Sequence, residues 1–177
     1  MAKDESQRRR ITLERTYKAS LQDVWDMWTT KEGIESWWGP DGFSVKVRTL
    51  DLRVGGELHY AMTANAPPQV EFMKKAGMPL TTEAKLTFTE VSPPRRLAYS
   101  HLADFIPGVE PYRVSHLVEL TPLGDSVRMV LTFDAMHDDE WTNRAKMGWE
   151  MELGKLANAL AKTVRLPAFV VRRTGAA

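Results

Sequence analysis

The sequence predicts an α+β domain: a curved antiparallel sheet of about seven strands, two short helices near its start and a long C-terminal helix laid over it. Three observations carry this. Apolar residues alternate at period two through most of residues 43–134, whereas residues 20–38 and 138–162 repeat them at three- and four-residue steps. The order is one strand, two short helices, six strands and one long helix. A strongly curved sheet covered by a single helix is not easily filled by side chains from one layer, and the gap left between them is an apolar cavity suited to a small molecule.

Residues 1–9 are a polar lead. From Arg10 to Lys18, Ile11 and Leu13, then less cleanly Arg15 and Tyr17, alternate with Thr12, Glu14 and Thr16, as in a strand. Ser20 supplies a hydroxyl cap, Asp23 completes a capping-box-like pattern, and Leu21, Val24, Trp25 and Trp28 follow at helical spacing. Thr30 caps a second short helix, Lys31 to Trp38, which Gly39-Pro40-Asp41-Gly42 ends. Strands follow around Phe43-Val45-Val47, Leu58-Tyr60-Met62, Ala84-Leu86-Phe88, Leu97 to Ala103, Tyr112 to Leu120 and Val127 to Phe133. The stretch 63–82, with Pro67-Pro68, Gly77 and Pro79, reads as a long loop. Its Val70, Phe72, Met73 and Met78 suggest a flap folded over something. Trp141, Ala145, Trp149, Leu153, Leu156 and Leu160 place an apolar stripe along the final helix, and residues 163–177 form a tail.

The 177 residues fit one domain, spanning 10–162. A formal net charge of +1 offers no field to hold a polyanion, so nucleic acid is not an expected partner, and Arg8-Arg9-Arg10 reads as a solvated lead-in. With no cysteine, disulfides, thiolate nucleophiles and cysteine-based zinc sites are excluded, and a reducing cytoplasm is the expected location. No apolar run approaches the ~20 residues of a membrane-spanning helix, and the N-terminus lacks the apolar core of a secretory signal.

Several motifs, in order, resemble one family. They are Tyr17-Lys18-Ala19-Ser20 through Val24-Trp25 and Trp28-Thr29, Trp37-Trp38-Gly39-Pro40, Asp51-Leu52-Arg53-Val54-Gly55-Gly56, Phe88 through Pro93-Pro94-Arg95-Arg96-Leu97, and Gly148-Trp149 followed by Leu153 and Leu156. From about Arg10 to Leu160 the chain resembles the SRPBCC or START-like superfamily, and within it proteins related to the C-terminal domain of the activator of heat-shock-protein-90 ATPase. The resemblance implies the helix-grip (START-like) fold and an apolar pocket. It does not imply one function, because members include lipid carriers, cyclases and aromatases, stress proteins and chaperone regulators.

Candidate site residues come from strand parity. If Val114, Val118 and Leu120 face inward, so do Tyr112 and His116; on the neighbouring strand Leu97, Tyr99 and His101 share a face, while the opposing set Ala98, Ser100 and Leu102 is nearly as apolar and leaves the choice of face open. Tyr60 joins them from an earlier strand, and Trp37, Trp38, Phe72, Trp141 and Trp149 can supply walls. Against this stands the plainer reading of the same residues as satisfied core, which suits Trp25 and Trp28 best. His59, His101, His116 and His137 lack metal-ligand spacing, so no metal and no cofactor are expected. Gly55-Gly56 lacks the rest of a phosphate loop and reads as a tight connection, and no nucleophile motif is present.

The leading functional expectation is therefore a module that binds a small hydrophobic molecule, lipid-like or aromatic and polyketide-like. An enzyme of the cyclase, aromatase or hydrolase kind would need His101 or His116 paired with a Tyr or Glu71 inside the cavity. A chaperone regulator is a third reading, weakened because only the C-terminal-type domain is expected here. Homodimerisation through Leu117 and Phe169-Val170-Val171 is left open.

Overall fold

The computed structural model describes residues 8–163; the tail segment 169–171 lies outside the described residues. The chain forms β1 (Arg10–Tyr17), α1 (Leu21–Thr29), α2 (Lys31–Trp37), β2 (Phe43–Leu50), β3 (Glu57–Ala64), α3 (Pro67–Lys75), β4 (Thr81–Ser92), β5 (Arg96–Ala103), β6 (Tyr112–Leu123), β7 (Ser126–Asp134) and α4 (Asp139–Lys162). All strands pair antiparallel in one sheet of order β1-β7-β6-β5-β4-β3-β2. β2 to β7 are a meander, and the two small helices carry the chain from one edge to the other. Register shifts between Val47 and Thr49 and between Phe88 and Glu90 mark bulges, which raise local twist and curve the sheet. This is the α+β helix-grip architecture.

The two short helices share one residue. The Ser20 hydroxyl accepts from the Asp23 amide at 3.0 Å to open α1. Thr30 then acts twice: its hydroxyl donates to the Asp26 carbonyl at 2.8 Å, closing α1, and accepts from the Gly33 amide at 3.0 Å, opening α2. This tight join leaves no room at Gly33, where a Cβ would lie 2.2 Å from the Asp26 carbonyl oxygen. Gly33→Ala is therefore expected to cost about 2 kcal/mol in spite of alanine's better helix propensity. At Gly154 in α4 a Cβ meets nothing within 4 Å, and Gly154→Ala is expected to gain about 0.5–1 kcal/mol. Denaturant midpoints of the two variants should move in opposite directions.

Gly55 and Gly56 are glycines for different reasons. Gly55 has φ +82°, a left-handed conformation, whereas a Cβ on Gly56 would sit 2.1 Å from the Asp51 carbonyl. Together they tie the β2–β3 connection to β4, the Gly55 amide donating to the Phe88 carbonyl and the Phe88 amide to the Gly56 carbonyl.

The stretch 63–82 holds a helix rather than a loop alone. Pro67 and Pro68 stand at its first positions, where the fixed φ is already helical and a missing N–H costs nothing, so the proline pair starts α3. The segment docks at the beginning of β2 through Asn65 and Ala66 amides bonded to the Gly42 carbonyl, and it buries Met73.

The core lies between the concave sheet face and the helices. Leu153, Leu156 and Leu160 of α4 pack with Val24 and Trp28 of α1, Ile34 and Trp37 of α2, and Val118, Met129 and Leu131 of the sheet. The other sheet face is polar, with Glu14 paired to Arg128 and Arg96 held between Glu90 and Glu119. No helix among the described residues is long and apolar enough to cross a membrane.

Candidate functional site

Along α4, the C-terminal half presses on the sheet through Leu153, Leu156, Ala159 and Leu160. Toward its start the same helix offers Ala145 and Gly148, whose small or absent side chains leave space. A cavity of about 840 Å³ opens there, walled by α4, by β3, β4, β5 and β6, and by Trp38-Gly39-Pro40 after α2. This volume is within the ~300–1,000 Å³ of small-molecule sites. Leu102, Phe105 and Met151 line it while remaining exposed, and so mark its mouth.

Six of the ten residues singled out from the sequence line this cavity: Trp38, Tyr60, Tyr99, His101, His116 and Trp149. The other four lie elsewhere. Trp37 is fully buried in the core, its indole N–H donating to the Met27 carbonyl at 2.9 Å. Phe72 is 66% exposed on α3. Tyr112 shares the parity of His116, but four residues of strand carry it about 13 Å along β6. There its hydroxyl meets His137 Nδ1 at 2.9 Å and accepts from the His137 amide at 3.1 Å. Trp141 packs on a small second cluster around Ala103, Ile106 and Val114, and faces the mouth residue Phe105 at 6.0 Å.

Inside the cavity the aromatic rings are ordered. Trp38 stands 6.2 Å from Tyr60, 6.1 Å from Tyr99 and 5.7 Å from Trp149 by ring centroids. Tyr99 stacks on His116 at 4.8 Å and 9°, and His101 lies 5.1 Å from His116. The Tyr99 hydroxyl and His116 Nδ1 are buried without a hydrogen-bond partner. Neither histidine is hydrogen-bonded to a tyrosine or carboxylate lining the cavity, among the described residues. Glu71 lies outside, on α3, paired with Lys75 at 2.8 Å.

The sequence reading passed over Glu152, which lines the cavity one helical step beyond Trp149. Its signal was a carboxylate inside an apolar stripe at i+3. Burial pushes its carboxyl up to about 7, against the opposing pull of the Lys155 ammonium and the Gly39 N–H. Burial also raises Tyr99 and Tyr60, and the charge of Glu152 adds to both. His116 is held well below its ordinary value by burial, with His101 adding and the Val114 carbonyl opposing. Burial likewise lowers His101. Both imidazoles are therefore neutral bases at neutral pH.

This architecture is shared. A protein from Chromobacterium violaceum aligns with a TM-score of 0.69 at 22% identity, over 85% of this chain and 96% of its own. A protein from Arthrobacter aurescens gives 0.70 at 20% identity, over 95% of each. The AHSA1 protein from Silicibacter pomeroyi gives 0.67 at 20% identity, over 87% of this chain and 99% of its own. At these identities the likeness is one of fold. No curated protein matches the chain by sequence. The family model described as activator of Hsp90 ATPase homolog 1-like protein matches residues 18–161, from the end of β1 through nearly all of α4. The chain belongs to the activator of Hsp90 ATPase homolog 1-like family.

Proposed function

We propose that this domain binds a small hydrophobic molecule, with an aromatic or lipid-like body, in the cavity beneath the first half of α4. The observation that carries the reading is a cavity of about 840 Å³ whose walls hold two buried polar atoms without partners, Tyr99 Oη and His116 Nδ1. A buried polar atom left unpaired costs about 1–3 kcal/mol, which a bound molecule can recover. The aromatic walls supply contact area, and the two atoms can set orientation.

A second reading, an enzyme of the cyclase or aromatase kind, draws support from Glu152 alone. A carboxyl near 7 suits proton transfer at neutral pH.

The binding reading is tested by denaturing protein purified without added ligand and identifying released small molecules by mass spectrometry. In parallel, an apolar fluorescent probe is titrated in while tryptophan emission is followed, since Trp38 and Trp149 line the cavity. Saturable binding is expected, weakened at least about ten-fold in Gly148→Phe, which fills space that a Cβ enters without contact. A protein with no released compound and no saturable binding would leave the cavity reading without support.

A further inference from the structure

Part of the cavity wall has a chemistry more specific than apolarity. Glu152 projects from α4 among rings, and among the described residues no cation lies within ion-pair distance of it. The candidate nearest in sequence, Lys155, gives its ammonium to the Gly39 carbonyl at 2.7 Å instead. Tyr99, 2% exposed and its hydroxyl unpartnered, lines the same cavity, and the Glu152 charge adds to the raising of its phenol. Trp38 forms a corner with Tyr60, Tyr99 and Trp149, all at ring-centroid distances of 5.7–6.2 Å.

From this juxtaposition we propose that the ligand is an amine: a protonated nitrogen on an apolar or aromatic body, seated between the Glu152 carboxylate and the Tyr99 hydroxyl within the rings of Trp38, Tyr60 and Trp149. The proposal rests on the cavity being a small-molecule site. Each part of the setting answers a need of such a head group. Ring faces attract a cation within about 6 Å of their centroids. The carboxylate gains a direct ion pair, which Lys155 does not make with it, and the phenol oxygen accepts one N–H. The remaining charges point the same way. Asp104 at the mouth has no ion-pair partner among the described residues, whereas the lining cation Lys85 is engaged by Glu57 at 3.3 Å. His101 and His116, held neutral by burial, add no positive charge to repel an ammonium. A fatty-acid carboxylate would face Glu152 and Asp104 with no free cation to meet it. A neutral ligand would fill the volume but give the Glu152 carboxylate no ion pair.

The test uses three probes with one body and different heads: 2-(1-naphthyl)ethylamine, 2-(1-naphthyl)ethanol and 1-naphthylacetic acid, titrated calorimetrically at about pH 8, where Glu152 is ionised. The amine is expected to bind about ten-fold more tightly than the alcohol, and the acid most weakly. Glu152→Gln should abolish the amine's advantage while alcohol binding stays within about two-fold, and Tyr99→Phe should weaken the amine by about three- to ten-fold. An alcohol or acid that binds as well as the amine, or an amine preference that survives Glu152→Gln, overturns the amine assignment and leaves the cavity reading standing. Failure of all three probes to bind the unaltered protein overturns both.

Discussion

Trp37→Ala is expected to lower the free energy of unfolding by about 4 kcal/mol, the cost of emptying a large site in a packed core. Trp37 is fully buried, its ring 4.8 Å from Trp28 and 5.1 Å from Trp38. It also closes α1. Met27 lies in the last turn of that helix, where carbonyls have no intrahelical donor, and the Trp37 indole N–H supplies one at 2.9 Å. Trp37→Phe keeps most of the apolar volume but strands that carbonyl, so a loss of about 1–2 kcal/mol is expected, with probe binding unchanged. Equilibrium urea unfolding measures both. A loss below about 1.5 kcal/mol for Trp37→Ala would remove Trp37 from the core and return it to the list of pocket walls.

Glu152→Gln is expected to stabilise the ligand-free protein by about 3 kcal/mol at pH 8 and to leave it unchanged near pH 4. Moving a carboxyl from its ordinary 4.5 to about 7, at about 1.4 kcal/mol per pH unit, sets the scale. The direction follows from proton counts. Between 4.5 and about 7 the folded protein holds a proton on Glu152 that the unfolded chain has released. Stability from this group is therefore complete below the unfolded value and is lost as pH rises through the folded one. Glutamine keeps the shape and carries no charge to desolvate. His116, lowered by burial, acts in the opposite sense, its contribution being lost as pH falls through and below its ordinary value of 6.5. That histidine is present in both proteins, so the difference between their unfolding free energies isolates Glu152. A difference that is flat from pH 4.5 to pH 8 would show that the carboxylate is solvated, and would remove its claim on a ligand cation.

The elements of this fold were legible locally because their signals are local. The hydroxyls of Ser20 and Thr30 each accept a backbone amide in the first turn of the helix that the sequence pattern has them cap. The alternation of Leu97, Tyr99 and His101 survives as a shared face because side-chain direction along a strand is set by the pleat itself. The resemblance motifs run from Tyr17 to Leu156, and the family model matches residues 18–161. Locally the proline pair at Pro67 misleads: two prolines fit a loop as well as the first positions of a helix, and composition alone favours the loop.

The site divides along a different line. Parity and helical spacing put His101, His116, Tyr99, Tyr60 and Trp149 forward as candidates for inward faces, and all five line the cavity. They could not determine where along each face the cavity begins and ends. That depends on how far α4 stands off the sheet, which Ala145 and Gly148 set at one end and Leu153 and Leu156 at the other. Tyr112 falls beyond this span although its parity matches. Trp37 and Trp38 are neighbours that sequence treats alike, yet one seals α1 and the other walls the cavity. Glu152 lies on the cavity wall because α4 turns that face toward the cavity, and its burial there raises its carboxyl. Local pattern thus chose the faces; the stand-off between helix and sheet, a sum over many distant contacts, chose which residues on those faces meet a ligand.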